Sequence, residues 1–219
     1  MLLEAYKKGV TGVAEDRRVQ ERSIATRAAL LDAALQCLVE RGYAATTTIE
    51  TARRAGVSRG AQLHHFPTKA QLLTAAVQHL FDRRRAEFVD ALAAVDPDAD
   101  RLDAAIDLLW SMFQGPVFVA WTELWVAART DPALAAALVA VERRFTEESR
   151  AMFTDMFPVE PGGDPAFYDI GRDFAFAVMT GVALQRLFPH GERPAADYLD
   201  ALKHLFRLAR PHPDTRRER

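Results

Sequence analysis

With one cysteine in 219 residues, the chain can form no internal disulfide and no zinc site built on several thiolates. Cys37 sits among Leu35, Leu38 and Val39, which marks it as a buried apolar residue rather than a reactive thiol. Long apolar runs are missing: none approaches the roughly 18 residues a bilayer-spanning helix needs. The opening stretch MLLEAYKKGVTGVAEDRRVQER is a mixed-charge extension without the apolar core or cleavage site of a secretion signal. A loose tail in the cytoplasm is the expectation. Alternating β-branched runs are absent, which argues against strands. No glycine-rich phosphate loop occurs either, since Gly162-Gly163 lies in a proline-flanked linker rather than between strand and helix. His64 and His65 are adjacent, so around a helix their side chains diverge instead of sharing a metal as i,i+4 ligands can. Carboxylates are scattered over helix faces. No cofactor, metal site or catalytic residue is expected, and the chain does not read as an enzyme.

What it does have is alanine, leucine and turn signals at helix-length intervals, without repeats or low-complexity segments. At 49% hydrophobic it can bury a proper core, and the fold expected is all-α with about nine helices. Net charge is −2, but it is unevenly placed. Residues 1–85 hold 14 Lys+Arg against 8 Asp+Glu, and the remainder 14 against 22. A basic front and acidic rear suit a protein that grips a polyanion with one end.

The stretch from Tyr43 to Leu73 organises the rest. Thr47 and Thr48 are N-cap candidates for a helix of about two turns through Ile49, Ala52, Arg53 and Ala55. Gly56 ends it, where a left-handed residue costs little. Val57 fills the angle between helices. Ser58 then caps a second helix running from Arg59 to His65, which stops before Pro67. Helix, glycine turn and capped helix make a helix-turn-helix. Arg59, Gln62, His64 and His65 are donors suited to bases or phosphates, and Gly60 and Ala61 let a backbone come close. The N-terminal residues of a recognition helix meet base edges, so Arg59, Gln62 and His64 are expected on bases. Thr47, Thr48, Arg54 and Lys69 are expected on phosphates, with Arg53 a further candidate and His65 suited to either. Lys69 stands in the first turn of a helix capped by Thr68, poor for the helix dipole and good for a phosphate. Ala34, Leu38, Tyr43, Ile49, Val57, Leu63 and Phe66 should form the small core behind, under a helix from Ser23 to Arg41 that Gly42 ends.

These residues resemble a family. Gly42-Tyr43, Thr46-Thr47, Ala52, Ala55-Gly56-Val57-Ser58, Gly60, His65-Phe66 and Lys69 follow the pattern G-[YF]-x-x-T-T, A-x-x-A-G-V-S-x-G, H-F-x-x-K of TetR/AcrR-type regulators. The match covers roughly Arg22 to Leu73. Two positions depart from it: Leu63 stands where most members carry a tyrosine that often touches a phosphate, and Gln62 occupies a position that is usually apolar. The DNA-contacting set expected is Thr47, Thr48, Arg54, Ser58, Arg59, Gly60, Gln62, Leu63, His64, His65 and Lys69. The resemblance also implies a rear domain that binds an inducer.

The divisions expected are an extension over 1–21, the DNA-binding domain over 22–73, a ligand-binding and dimerisation domain over 74–210, and a loose tail over 211–219. Helices are expected over about 68–95, 99–114, 116–130, 132–157, 165–188 and 194–209, with breaks at prolines that favour helix starts. The rear domain is rich in aromatics, which among long helices can pack as core or line an apolar cavity. Trp110, Phe113, Gln114, Trp121, Glu123, Trp125 and Phe176 are the pocket candidates, Glu123 having Arg129 as an alternative partner. The last two helices carry apolar residues on more than one face: Phe167, Ile170, Phe174, Val178, Leu184, Leu187 and Phe188 on one, Tyr198, Leu199, Leu202, Leu205 and Phe206 on the other. That excess suits a four-helix bundle between two copies. The function expected is a repressor released from a palindromic operator by a small apolar or aromatic effector. The alternatives are a helical small-molecule binding protein that has lost DNA binding, or an activator of the same fold.

Overall fold

The computed structural model describes residues 2–157, 165–187 and 193–209. Among these the chain is all-α: α1 (Leu2–Ala45), α2 (Thr48–Arg54), α3 (Arg59–His65), α4 (Lys69–Ala93), α5 (Arg101–Met112), α6 (Pro116–Ala128), α7 (Pro132–Met156), α8 (Pro165–Gln185) and α9 (Ala195–Ala209). No single helix among the described residues is long and apolar enough to cross a membrane. The expected breaks over 158–164 and 189–192, Phe188, and the tail over 211–219 lie outside the described residues, as does the side chain of Phe167.

The chain divides into two compact units. One is Met1–Leu80 with Val119–Leu138; the other is Phe81–Phe118 with Val139–Arg219. The cut expected near residue 73 therefore gives way to an interleaved arrangement, in which the front unit includes a segment of α6 and α7. The expected extension over 1–21 differs too: its backbone is the first half of α1. Its Lys, Arg, Glu and Ala content is helix-forming, and Arg17 pairs with Glu21 one turn on, at 3.2 Å.

In the front unit, α1 reaches Gly42, where φ 71 and ψ 174 interrupt the helix. That conformation is essentially confined to glycine. Helix α2 packs on α1, and α3 on α2. Leu30, Ala34, Cys37 and Leu38 of α1, Ala52 of α2, and Phe66 are buried, as are Leu73, Ala76 and Val77 of α4. Of the expected small core, Ala34, Leu38 and Phe66 are buried, and Tyr43 and Val57 half-buried. Ile49 is 59% exposed and Leu63 44%; both correct the expectation.

In the rear unit, Leu102, Ile106 and Trp110 of α5 meet Ala175, Met179 and Val182 of α8 and Leu199 and Leu202 of α9 in one buried cluster. The N-cap Asp100 holds the start of α5, its carboxylate accepting from the N–H groups of Leu102 and Asp103. Lys203 reaches Asp107 at 2.6 Å, and Arg207 pairs with Asp103, joining α9 to α5 along the edge of that core.

Candidate DNA-reading surface

Each of the two short helices is fixed at both ends. Thr47 accepts from the Glu50 N–H at 3.2 Å as the N-cap of α2. At the other end Gly56 has φ 65, with Gly56 N–H donating to Arg53 O and Val57 N–H to Ala52 O. Those two bonds are a Schellman ending. Ser58 accepts from the Ala61 N–H at 3.2 Å and starts α3. As acceptors, both caps keep their hydroxyl hydrogens for a ligand oxygen. Thr48 is half-buried in the first turn of α2. The start of α4 is a reciprocal capping box: Gln71 N–H donates to Thr68 Oγ1 and Thr68 N–H to Gln71 Oε1.

The face of α3 is set by Gln62. Expected on bases, it is 1% exposed, and its Nε2 donates to Phe66 O at 2.7 Å. Phe66 N–H in turn donates to Gln62 O at 2.8 Å. The amide donates within the head and the buried side chain fills the slot that is usually apolar, so it is turned away from the outward face. With Gln62 turned in, Arg59, Gly60, Leu63 and His64 are exposed and His65 is half-buried. The two imidazoles stand edge to face, 5.5 Å apart. Phe66 is buried beneath, with the Arg27 guanidinium 5.0 Å over its ring.

Two residues expected on phosphates have partners inside the head. Arg54 pairs with Glu40 at 2.7 Å and Glu50 at 3.1 Å, which holds its side chain largely covered. Glu50 also accepts two 2.8 Å bonds from Arg53 and lies 3.4 Å from Arg41. Hydrogen bonds from Arg53 and then Arg54 bring the Glu50 carboxyl down to about 2. Lys69 turns back to the end of α1, donating to the carbonyls of Tyr43 and Ala44, with its ammonium 4.0 Å over the Tyr43 ring. Burial lowers its pKa. Carbonyls near a helix end are a natural partner for a lysine.

Sequence reasoning missed a clamp on Gly42-Tyr43. Glu123 of α6 accepts from the Tyr43 N–H at 3.0 Å, so Glu123 is neither Arg129's partner nor a free pocket residue. The Tyr43 phenol donates to Asp131 at 2.6 Å. Burial, and then that bond, push the phenol up to about 12. A Cβ on Gly42 would lie 2.8 Å from Glu123 Oε2. The partners stand 80 and 88 residues apart in sequence, so no local spacing reports them. Glu50 was findable, because Thr47-x-x-Glu50 has capping-box spacing.

The pocket candidates fall in both units. Trp110 is buried in the rear core and stacks on Phe113 at 6.4 Å; Phe113 meets Phe176 edge-on at 5.7 Å. Gln114 is exposed just beyond α5. Trp121, half-buried, and Trp125, exposed, belong with Glu123 to the front unit.

The family described as bacterial regulatory proteins, tetR family, matches residues 30–76, the span that carries α2, α3 and their supports. The regulator CymR of Pseudomonas putida is 37% identical over 142 residues, 64% of this chain and 68% of CymR. The chain belongs to the TetR family. BetI of Rhizobium meliloti is 33% identical over 120 residues, 54% of this chain and 59% of BetI. The multidrug binding protein EbrR, crystallised with imidazole, shares the fold at TM-score 0.60 and 26% identity, over 87% of this chain and 97% of EbrR. As a TetR-family member the chain is a helix-turn-helix transcriptional regulator and not an enzyme. Regulators of the family bind DNA and small-molecule effectors and act as dimers.

Proposed function

We propose that this TetR-family regulator is a repressor that sits as a homodimer on a palindromic operator and is released by a small apolar or aromatic molecule. The carrying observation is the outward face of α3, where Arg59, Leu63 and His64 are exposed together beside Gly60. Arg59 and His64 are the base-reading groups in this proposal. Thr47, Thr48 and Ser58 hold phosphates through their hydroxyls, and His65 lies at the margin.

The dimer surface proposed is α8 with α9. Ile170 and Phe174 are 66% and 48% exposed, and Ala177 is exposed and Gly181 half-exposed along the same helix, with Leu184 exposed beyond them. Their spacing alternates four and three residues, the a/d pattern by which helices seat knobs into a partner's holes. On α9, Leu205 and Leu208 are exposed as well. A two-fold dimer would place its α3 helices about one DNA turn apart, ~34–36 Å. An effector that alters that separation opposes DNA binding, and DNA opposes the effector by the same factor. The effector site proposed is aromatic, with Trp110, Phe113 and Phe176 or with Trp121 and Trp125. That EbrR is a multidrug binding protein crystallised with imidazole supports an effector of this kind.

Gel-shift titration against the DNA flanking the protein's own gene, repeated across salt concentrations, tests the reading. Affinity should fall linearly on a log–log salt plot with a steep slope, and an effector should reverse the shift while changing tryptophan fluorescence. Binding that ignores both salt and sequence would sink it.

A further inference from the structure

The DNA-reading role of α3 leaves one outward residue without a polar task. Leu63 lies four residues after Arg59 and therefore stacks over it on the same face of the helix. It is 44% exposed because Gln62, buried with its Nε2 donating to Phe66 O, fixes which side of α3 faces in. A lone exposed leucine is ordinary on a protein surface. Here it stands between Arg59 and His64, at the centre of the face proposed to meet a groove.

A leucine can neither donate to a phosphate nor hydrogen-bond a base edge. Of the groups that base pairs display in the major groove, thymine's C5-methyl is the apolar one. We infer that Leu63 is a specificity-determining residue that seats on a thymine methyl of the operator. Four residues of helix rise about 6 Å, on the order of two base steps, so that thymine lies within about two base pairs of the base read by Arg59. This inference rests on the DNA-reading role proposed above.

Deoxyuridine differs from thymidine by that methyl, which makes a clean probe. A duplex selected by the full-length protein from a random pool is resynthesised with each thymine in turn replaced by deoxyuridine. Wild type and Leu63→Ala are then titrated by fluorescence anisotropy at fixed salt. One thymine in each half-site should matter: its loss weakens wild-type binding about four-fold, the worth of one buried methyl. Leu63→Ala should bind the two forms of that site equally, while keeping the wild-type salt slope and helical circular dichroism. If every demethylated duplex binds wild type as well as the parent, or if Leu63→Ala keeps the same four-fold loss, the inference is overturned and the DNA-reading role stands. If no duplex is selected and binding does not depend on salt, the DNA-reading role fails and takes this inference with it.

Discussion

Gln62 and Arg59 sit three residues apart on a seven-residue helix and do opposite work. Gln62 is buried and bonded to Phe66, whereas Arg59 stands outward. Gln62→Ala should therefore cost about 1–3 kcal/mol of stability, from the lost hydrogen bond and packing, and weaken all DNA sequences alike. Arg59→Ala should leave the melting temperature unchanged and cost about 1–3 kcal/mol of discrimination at one base position. Thermal melts beside competition binding against operator variants separate the two. A polar residue on so short a helix looks outward in sequence, because two turns give too little periodicity to decide which side is buried. The inward slot was legible from the family pattern, where it is apolar, but not that a glutamine could fill it by bonding its own chain. Arg54 and Lys69 have partners of their own that sequence did not reveal. Their charge suggested phosphates, while carboxylates on α1 and α2 and carbonyls at the end of α1 were closer.

At the scale of elements, caps and breaks were readable and long-range partners were not. Thr47, Gly56, Ser58 and Thr68 mark ends that stand where expected, and most of the helices from α4 onward fall within a few residues of their proline or glycine signals. The join between α1 and α2 depends instead on Glu50 amid Arg41, Arg53 and Arg54. Its carboxyl titrates at about 2 when folded, against an ordinary 4.5. The stabilisation is thus complete above about pH 4.5 and fades as pH falls towards 2. Glu50→Gln should melt lower than wild type at pH 7, and the gap should close on acidification. Melting both proteins from pH 7 to pH 3 checks this, and a constant gap would show that the pin is not electrostatic.

At the scale of the molecule, the proposed assembly rests on one stripe of α8. The sequence pointed to excess apolar surface on the last two helices without showing which face was spare. The core contact of Ala175, Met179 and Val182 with α5 and α9 leaves Ile170, Phe174 and Leu184 outside. Phe174→Glu should yield a folded monomer in sedimentation and cost at least ten-fold in operator affinity, since one reader cannot span two half-sites. A Phe174→Glu dimer with full affinity would place the interface elsewhere.

The clamp on Gly42-Tyr43 bears on protein engineering. A biosensor builder who grafts this regulator's reader onto a foreign body by splicing after residue 73 would leave Glu123 and Asp131 behind. The orphaned tyrosine would then have no acceptor for its phenol and no carboxylate at its amide. A working graft carries residues 119–138 along with the reader, or supplies two acids at matching places in the host.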